Sequence, residues 1–86
     1  MPEISRFYGI VIKMLFDDHN PPHIHIFYND EKALISITEL KLMRGDLSPR
    51  ALGMAIEWTK IHQQELLKDW ELAQKKQELF KIDPLK

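Results

Sequence analysis

Apolar residues alternate with polar ones through the first half of the chain, and from residue 49 onward they recur at helical spacing. The first pattern has the period of a strand with one face on a core, the second that of a helix with one buried stripe. Ile4 to Phe7 is a short alternating run, and Gly9 follows as a bulge or turn. The run Ile10 to Phe16 predicts a long strand with Ile10, Ile12, Met14 and Phe16 on the core face. Asp17-Asp18-His19-Asn20-Pro21-Pro22 carries the chemistry of a chain reversal, short acceptor side chains followed by two fixed φ angles. His23 to Tyr28 predicts a strand with Ile24, Ile26 and Tyr28 on one side and His23, His25 and Phe27 on the other. After a turn at Asn29-Asp30-Glu31, Lys32 to Thr38 aligns Ala33, Ile35 and Ile37. A weak fourth strand over Leu40 to Met43 is broken by Arg44-Gly45-Asp46.

Ser48-Pro49 marks a helix start, a hydroxyl at the N-cap and a proline at the first helical position, where its missing N–H costs nothing. Leu52, Ala55, Ile56, Thr59, Gln63, Leu66 and Trp70 then fall on one face. The spacing predicts one long helix over about Pro49–Ala73, open to a kink or to continuation as far as about Gln77, followed by a short packed tail over 78–86. The expected architecture is α+β: a small antiparallel β-meander of three to five strands packed against one long C-terminal amphipathic helix, all in one domain. Trp58 and Trp70 are read as core or interface packing, and His62 as a solvated or boundary helix residue.

Composition narrows the function classes. The chain has 86 residues, 44% of them hydrophobic and 29% charged, with a formal net charge of −1. Neither half, divided at residue 50, is a basic module, which argues against a dedicated nucleic-acid binder but not against a local basic rim. There is no cysteine, so any metal must sit on His, Asp or Glu. No apolar run approaches a membrane span, the N-terminal residues lack a secretory pattern, and the cytosol is the default location.

The segment Asp17 to His25 puts three imidazoles and two carboxylates in nine positions. A His-x-His pair on a strand sends both rings to one side with Cα atoms about 6.5–7 Å apart, close enough for one ion. In a metal reading His19, His23 and His25 are the ligands of a divalent ion, zinc first, with Asp17 or Asp18 as a fourth ligand or as the group that orients a ring. In a metal-free reading His23 and His25 act as acid and base with Asp18 holding a tautomer, and Arg6, Lys13 and Arg44 contact phosphate if the fold brings them to the histidine edge. RNA is the substrate that reading suggests. In a purely structural reading the acidic residues and prolines form a rigid corner and the histidines pack on a half-buried face.

The run Met1 to Ile12, the string Phe16-Asp17-Asp18-His19-Asn20-Pro21-Pro22-His23-Ile24-His25, the helix from Arg50-Ala51-Leu52 through Glu57-Trp58 to Trp70-Glu71-Leu72-Ala73 and the tail Lys81-Ile82-Asp83-Pro84-Leu85 closely resemble the prokaryotic domain-of-unknown-function family numbered 4160. Ile24 departs from it, standing where an aromatic residue is common. The resemblance implies a small free-standing protein encoded beside a second family, numbered 2442, as in a toxin–antitoxin pair, and supplies no catalytic residues. The reading placed first is therefore a toxin–antitoxin-like component whose histidine cluster binds or cleaves nucleic acid. The alternatives are a non-enzymatic interaction module, as a homo-oligomer or with the neighbouring protein, and a histidine-ligated metal-binding protein.

Overall fold

Five antiparallel strands in sequential order, β1 Glu3–Phe7, β2 Ile10–Lys13, β3 His23–Tyr28, β4 Glu31–Ser36 and β5 Leu42–Gly45, form a single meander sheet. Two helices follow, α1 Pro49–Ile61 and α2 Gln63–Gln74. This is a computed structural model, and it describes residues 2–86.

Tight turns set the register of the meander. Tyr8 and Gly9 both take positive φ (48° and 82°), the combination that lets a two-residue loop follow the twist of its strands, and Phe7 pairs with Ile10. Asn29, at φ 53°, turns the chain where Tyr28 pairs with Glu31. Glu31 thus belongs to β4 instead of the turn. The cross-strand pairs Ile12–Ile26, Ile26–Ala33 and Ile24–Ile35 lie on the face turned to the helices, and all five residues are buried. The four isoleucines pack with Ala51, Ala55, Trp58, Leu66 and Trp70 in one core.

Four further expectations need correction. Phe16 is exposed, not core, because β2 stops at Lys13 and residues 14–22 leave the sheet. That loop is tied instead to the end of α2: the Asp17 N–H donates to the Ala73 carbonyl (3.0 Å) and Gln74 Nε2 to the Asp18 carbonyl (3.1 Å). Arg44-Gly45 extends β5 and does not break it, since Gly45 (φ 85°) passes so close to β4 that a Cβ there would overlap the Lys32 carbonyl oxygen. The helix is two helices, divided at His62 (φ −106°, ψ 22°). No proline or glycine marks the division. His62 Nδ1 meets Glu65 Oε1 at 2.6 Å, and Gln63 Nε2 reaches across to the Ile37 carbonyl at 2.7 Å, contacts that a periodicity count does not register. Lastly, Ser48 stands at the helix start but does not cap it. Its hydroxyl and N–H both donate to Glu31 Oε1, at 2.6 and 2.9 Å.

Beyond α2 the chain returns along β1. The Ile82 N–H donates to the Ile4 carbonyl (2.8 Å) and Trp58 Nε1 to the Asp83 carbonyl (2.8 Å), with Ile82 buried. This return is also held by Asp69, a fully buried carboxylate whose Oδ1 accepts the Phe80 N–H (2.9 Å) while Oδ2 has no partner. Burial pushes its pKa up and Glu65 adds to the effect, against the opposing Phe80 N–H. A carboxyl whose folded pKa is raised contributes most below its unfolded pKa, and its contribution is lost as pH rises through the folded value. Relative to an Asp69→Asn variant, the wild type is therefore expected to lose stability between about pH 3 and about pH 7. Urea unfolding of both proteins at the two pH values checks this, and a difference that does not change with pH refutes it.

Candidate metal centre

Three elements build the site. β3 carries His23 and His25 on the side away from Ile24 and Ile26, as a period of two requires. The loop tied to the end of α2 brings Asp18 over them. Trp70 of α2 stands against His23 with ring centroids 5.3 Å apart, and His25 is 5.3 Å from His23 on the same measure.

Asp18 Oδ2 lies 2.8 Å from His23 Nε2 and 3.2 Å from His25 Nε2. Its other oxygen, Oδ1, accepts the His19 N–H at 2.8 Å, so one oxygen orients the carboxylate and the other faces the two rings. Burial acts to raise the Asp18 pKa, but the His19 N–H, the His25 contact and the field and contact of His23 together outweigh it and hold the pKa below the usual carboxylate range. The carboxylate is thus ionised at neutral pH.

The tautomer of His23 follows from its partners. Nδ1 lies 2.8 Å from the Pro21 carbonyl oxygen, and a carbonyl only accepts, so Nδ1 carries a proton and donates it. In the neutral ring Nε2 then presents a lone pair to an ionised carboxylate 2.8 Å away. Two acceptors face each other across that gap, and a positive charge between them, a second proton or a metal ion, is what removes the conflict. His23 is buried, where the conflict costs more than in water.

One ligand atom each from Asp18, His23 and His25 all lie within 4.8 Å of one another. Donors placed tetrahedrally at zinc bond lengths of about 2.0–2.1 Å are separated by about 3.3 Å, so small rotations of these side chains bring the group onto one ion. The Nδ1–H to carbonyl bond of His23 is the outer contact that metal-bound histidines ordinarily make.

Of the other candidates, Lys13 and Arg44 lie beside the cluster, and His19, Arg6 and Asp17 turn away from it. His19 is exposed and contributes its backbone N–H, not its ring, to the cluster. Arg6 is bound to Glu3 at 2.8 and 3.1 Å, and its strand neighbour is Val11, away from the histidines. Lys13 pairs with His25 across β2 and β3, and its ammonium sits over the Phe27 ring, 5.3 Å from the centroid. Arg44 lines the cleft beside Asp18 and His23. Asp17 points out to Lys76, 3.9 Å away. The supports that sequence reasoning missed are the Pro21 carbonyl, Gln74 and the Trp70 wall. A proline two residues before a histidine hints at the first, while the other two depend on how α2 returns to the loop.

Among the described residues no helix is long and apolar enough to cross a membrane. No curated protein and no solved structure matches the sequence. The family model of a domain of unknown function, DUF4160, matches residues 9–71. That span covers most of the chain and takes in the loop, both strand histidines and Trp70, and the chain belongs to the DUF4160 family.

Proposed function

We propose that this is a metal-binding domain in which Asp18, His23 and His25 hold one divalent ion, with at least one coordination position left open. The observation that carries the reading is the convergence of one ligand atom each from Asp18, His23 and His25 within 4.8 Å of one another, with His23 Nδ1 held by the Pro21 carbonyl so that Nε2 faces the Asp18 carboxylate. Two imidazole nitrogens and a carboxylate oxygen, with no thiolate, suit zinc, ferrous iron or manganese, and zinc binds such a set more tightly than the other two. Three protein ligands and an open position are the arrangement of catalytic rather than structural zinc sites. When bound, such an ion supplies Lewis acidity and a more acidic water. The protein's own residues supply orientation: the His19 N–H fixes Asp18, the Pro21 carbonyl fixes His23, and Trp70 walls His23 from behind.

The toxin–antitoxin assignment and the family 2442 partner rest on the resemblance alone, the RNA substrate rests on that assignment together with the metal-free reading of the histidines, and the convergence of Asp18, His23 and His25 favours the metal.

Calorimetric titration of zinc into tag-free protein is expected to show one equivalent bound, with proton release. Binding should be weaker at about pH 6 than at about pH 8, because ligand histidines must be unprotonated. The melting temperature should rise with zinc and return in chelator. Absence of a one-equivalent isotherm at either pH sinks the reading.

A further inference from the structure

The sheet face turned away from the helices has an unusual composition at its centre. One cross-strand row runs Lys13, His25, Leu34, Arg44 over β2 to β5, and the row beside it runs Val11, Phe27, Lys32 over β2 to β4. With strands about 4.8 Å apart, the cationic ends of the first row are separated by about 14 Å at the backbone, a span that two long side chains close from both sides. Between the rows lies a cleft of about 330 Å³, with Phe27 and Leu34 among its apolar residues, Lys32 and Arg44 as its cations, and His25 of the proposed metal group lining it as well. That volume is at the lower end of small-ligand sites.

Charge separates this cleft from an ordinary half-buried sheet face. Neither Lys32 nor Arg44 has a carboxylate within 4.0 Å among the described residues, although acidic groups outnumber basic ones in the chain. Lys13 has Glu3 as its strand partner on β1 and lies over the Phe27 ring at the margin, but the two cations that line the cleft, Lys32 and Arg44, have no such counter-charge, and around an apolar floor they are complementary to an anion that carries an apolar body. Arg44 and Leu34 also line the adjoining cleft over Asp18 and His23, so the two hollows share a wall, and Arg44 stands at the boundary between them.

We infer that this cleft binds a small organic phosphate, its phosphoryl group held at Arg44 between the two hollows and its apolar body laid against Phe27 and Leu34. The inference rests on the metal reading only for the end of the cleft toward which the phosphate points. Arginine offers a phosphate a planar fork of donors, and Lys32, which lines the same cleft, adds a point charge.

The test uses phenyl phosphate as probe, followed by the amide shifts of Phe27, Leu34 and Arg44 in ¹⁵N-labelled protein, with and without one equivalent of zinc. The zinc isotherm is measured separately. Expected are a dissociation constant below about 1 mM, weakening of tenfold or more in Arg44→Ala, and weaker binding of both inorganic phosphate and benzoate. Arg44 is exposed, so that variant keeps the fold. Zinc binding with no response to phenyl phosphate overturns the cleft proposal and leaves the metal reading standing. So does equal affinity in wild type and Arg44→Ala, or inorganic phosphate or benzoate binding as tightly as the ester. A failed zinc isotherm with Arg44-dependent phenyl phosphate binding removes the metal and retains the cleft.

Discussion

His23→Ala is expected to lose more than about 100-fold in zinc affinity, beyond the 10–100-fold typical of groups that only support a ligand. It removes the ring that the Pro21 carbonyl orients through Nδ1 and leaves His25 and Asp18 as a two-ligand remnant. It also leaves the Pro21 carbonyl without the donor it accepts at 2.8 Å, a loss of about 1–3 kcal/mol where such a group stays buried. The packing against Trp70 and His25 is lost with it. His19→Ala should by contrast bind zinc as the wild type does, because the cluster uses only its backbone N–H. Calorimetry on the two variants separates a site built from Asp18, His23 and His25 from one built from the three histidines of the loop and strand.

Trp70→Ala is expected to affect the core and the site together. Trp70 is buried on α2 and belongs to the same core as Ile24 and Ile26, so truncation should cost about 3–5 kcal/mol, a large share of the roughly 5–15 kcal/mol total of a small domain. It also removes the wall behind His23, and zinc affinity should fall roughly tenfold as the ring gains freedom. Trp70→Phe keeps an aromatic ring there and should retain most of both, which keeps the test informative if the alanine variant does not fold. If the alanine variant folds and binds zinc with wild-type affinity, α2 has no part in holding the site.

The meander and its buried face were legible because a period of two is a local property: Ile10, Ile12, Ile24, Ile26, Ala33 and Ile35 are all buried. Helix content was legible for the same reason, but the division at His62 was not, since it is made by contacts to Glu65 and to the Ile37 carbonyl and not by a breaker residue. The end of β2 was misplaced because Phe16 continues the alternation in sequence while its segment is held by Ala73 and Gln74, more than fifty residues further along. Within the site, the strand pair His23 and His25 could be placed on one face from spacing alone. What two prolines and a loop conceal is which of Asp17, Asp18 and His19 turns inward. That choice depends on the loop's bonds to α2 and on the His19 N–H, and it falls to Asp18.

The central claim, that one ion sits among Asp18, His23 and His25, is tested most directly by an anomalous difference map at the zinc edge from crystals of the tag-free protein grown with one equivalent of zinc. The predicted result is a single peak about 2.0–2.1 Å from Nε2 of both His23 and His25 and about 2.0–2.2 Å from an Asp18 carboxylate oxygen. A map with no peak there, or with its strongest peak at His19 or His62, would contradict it.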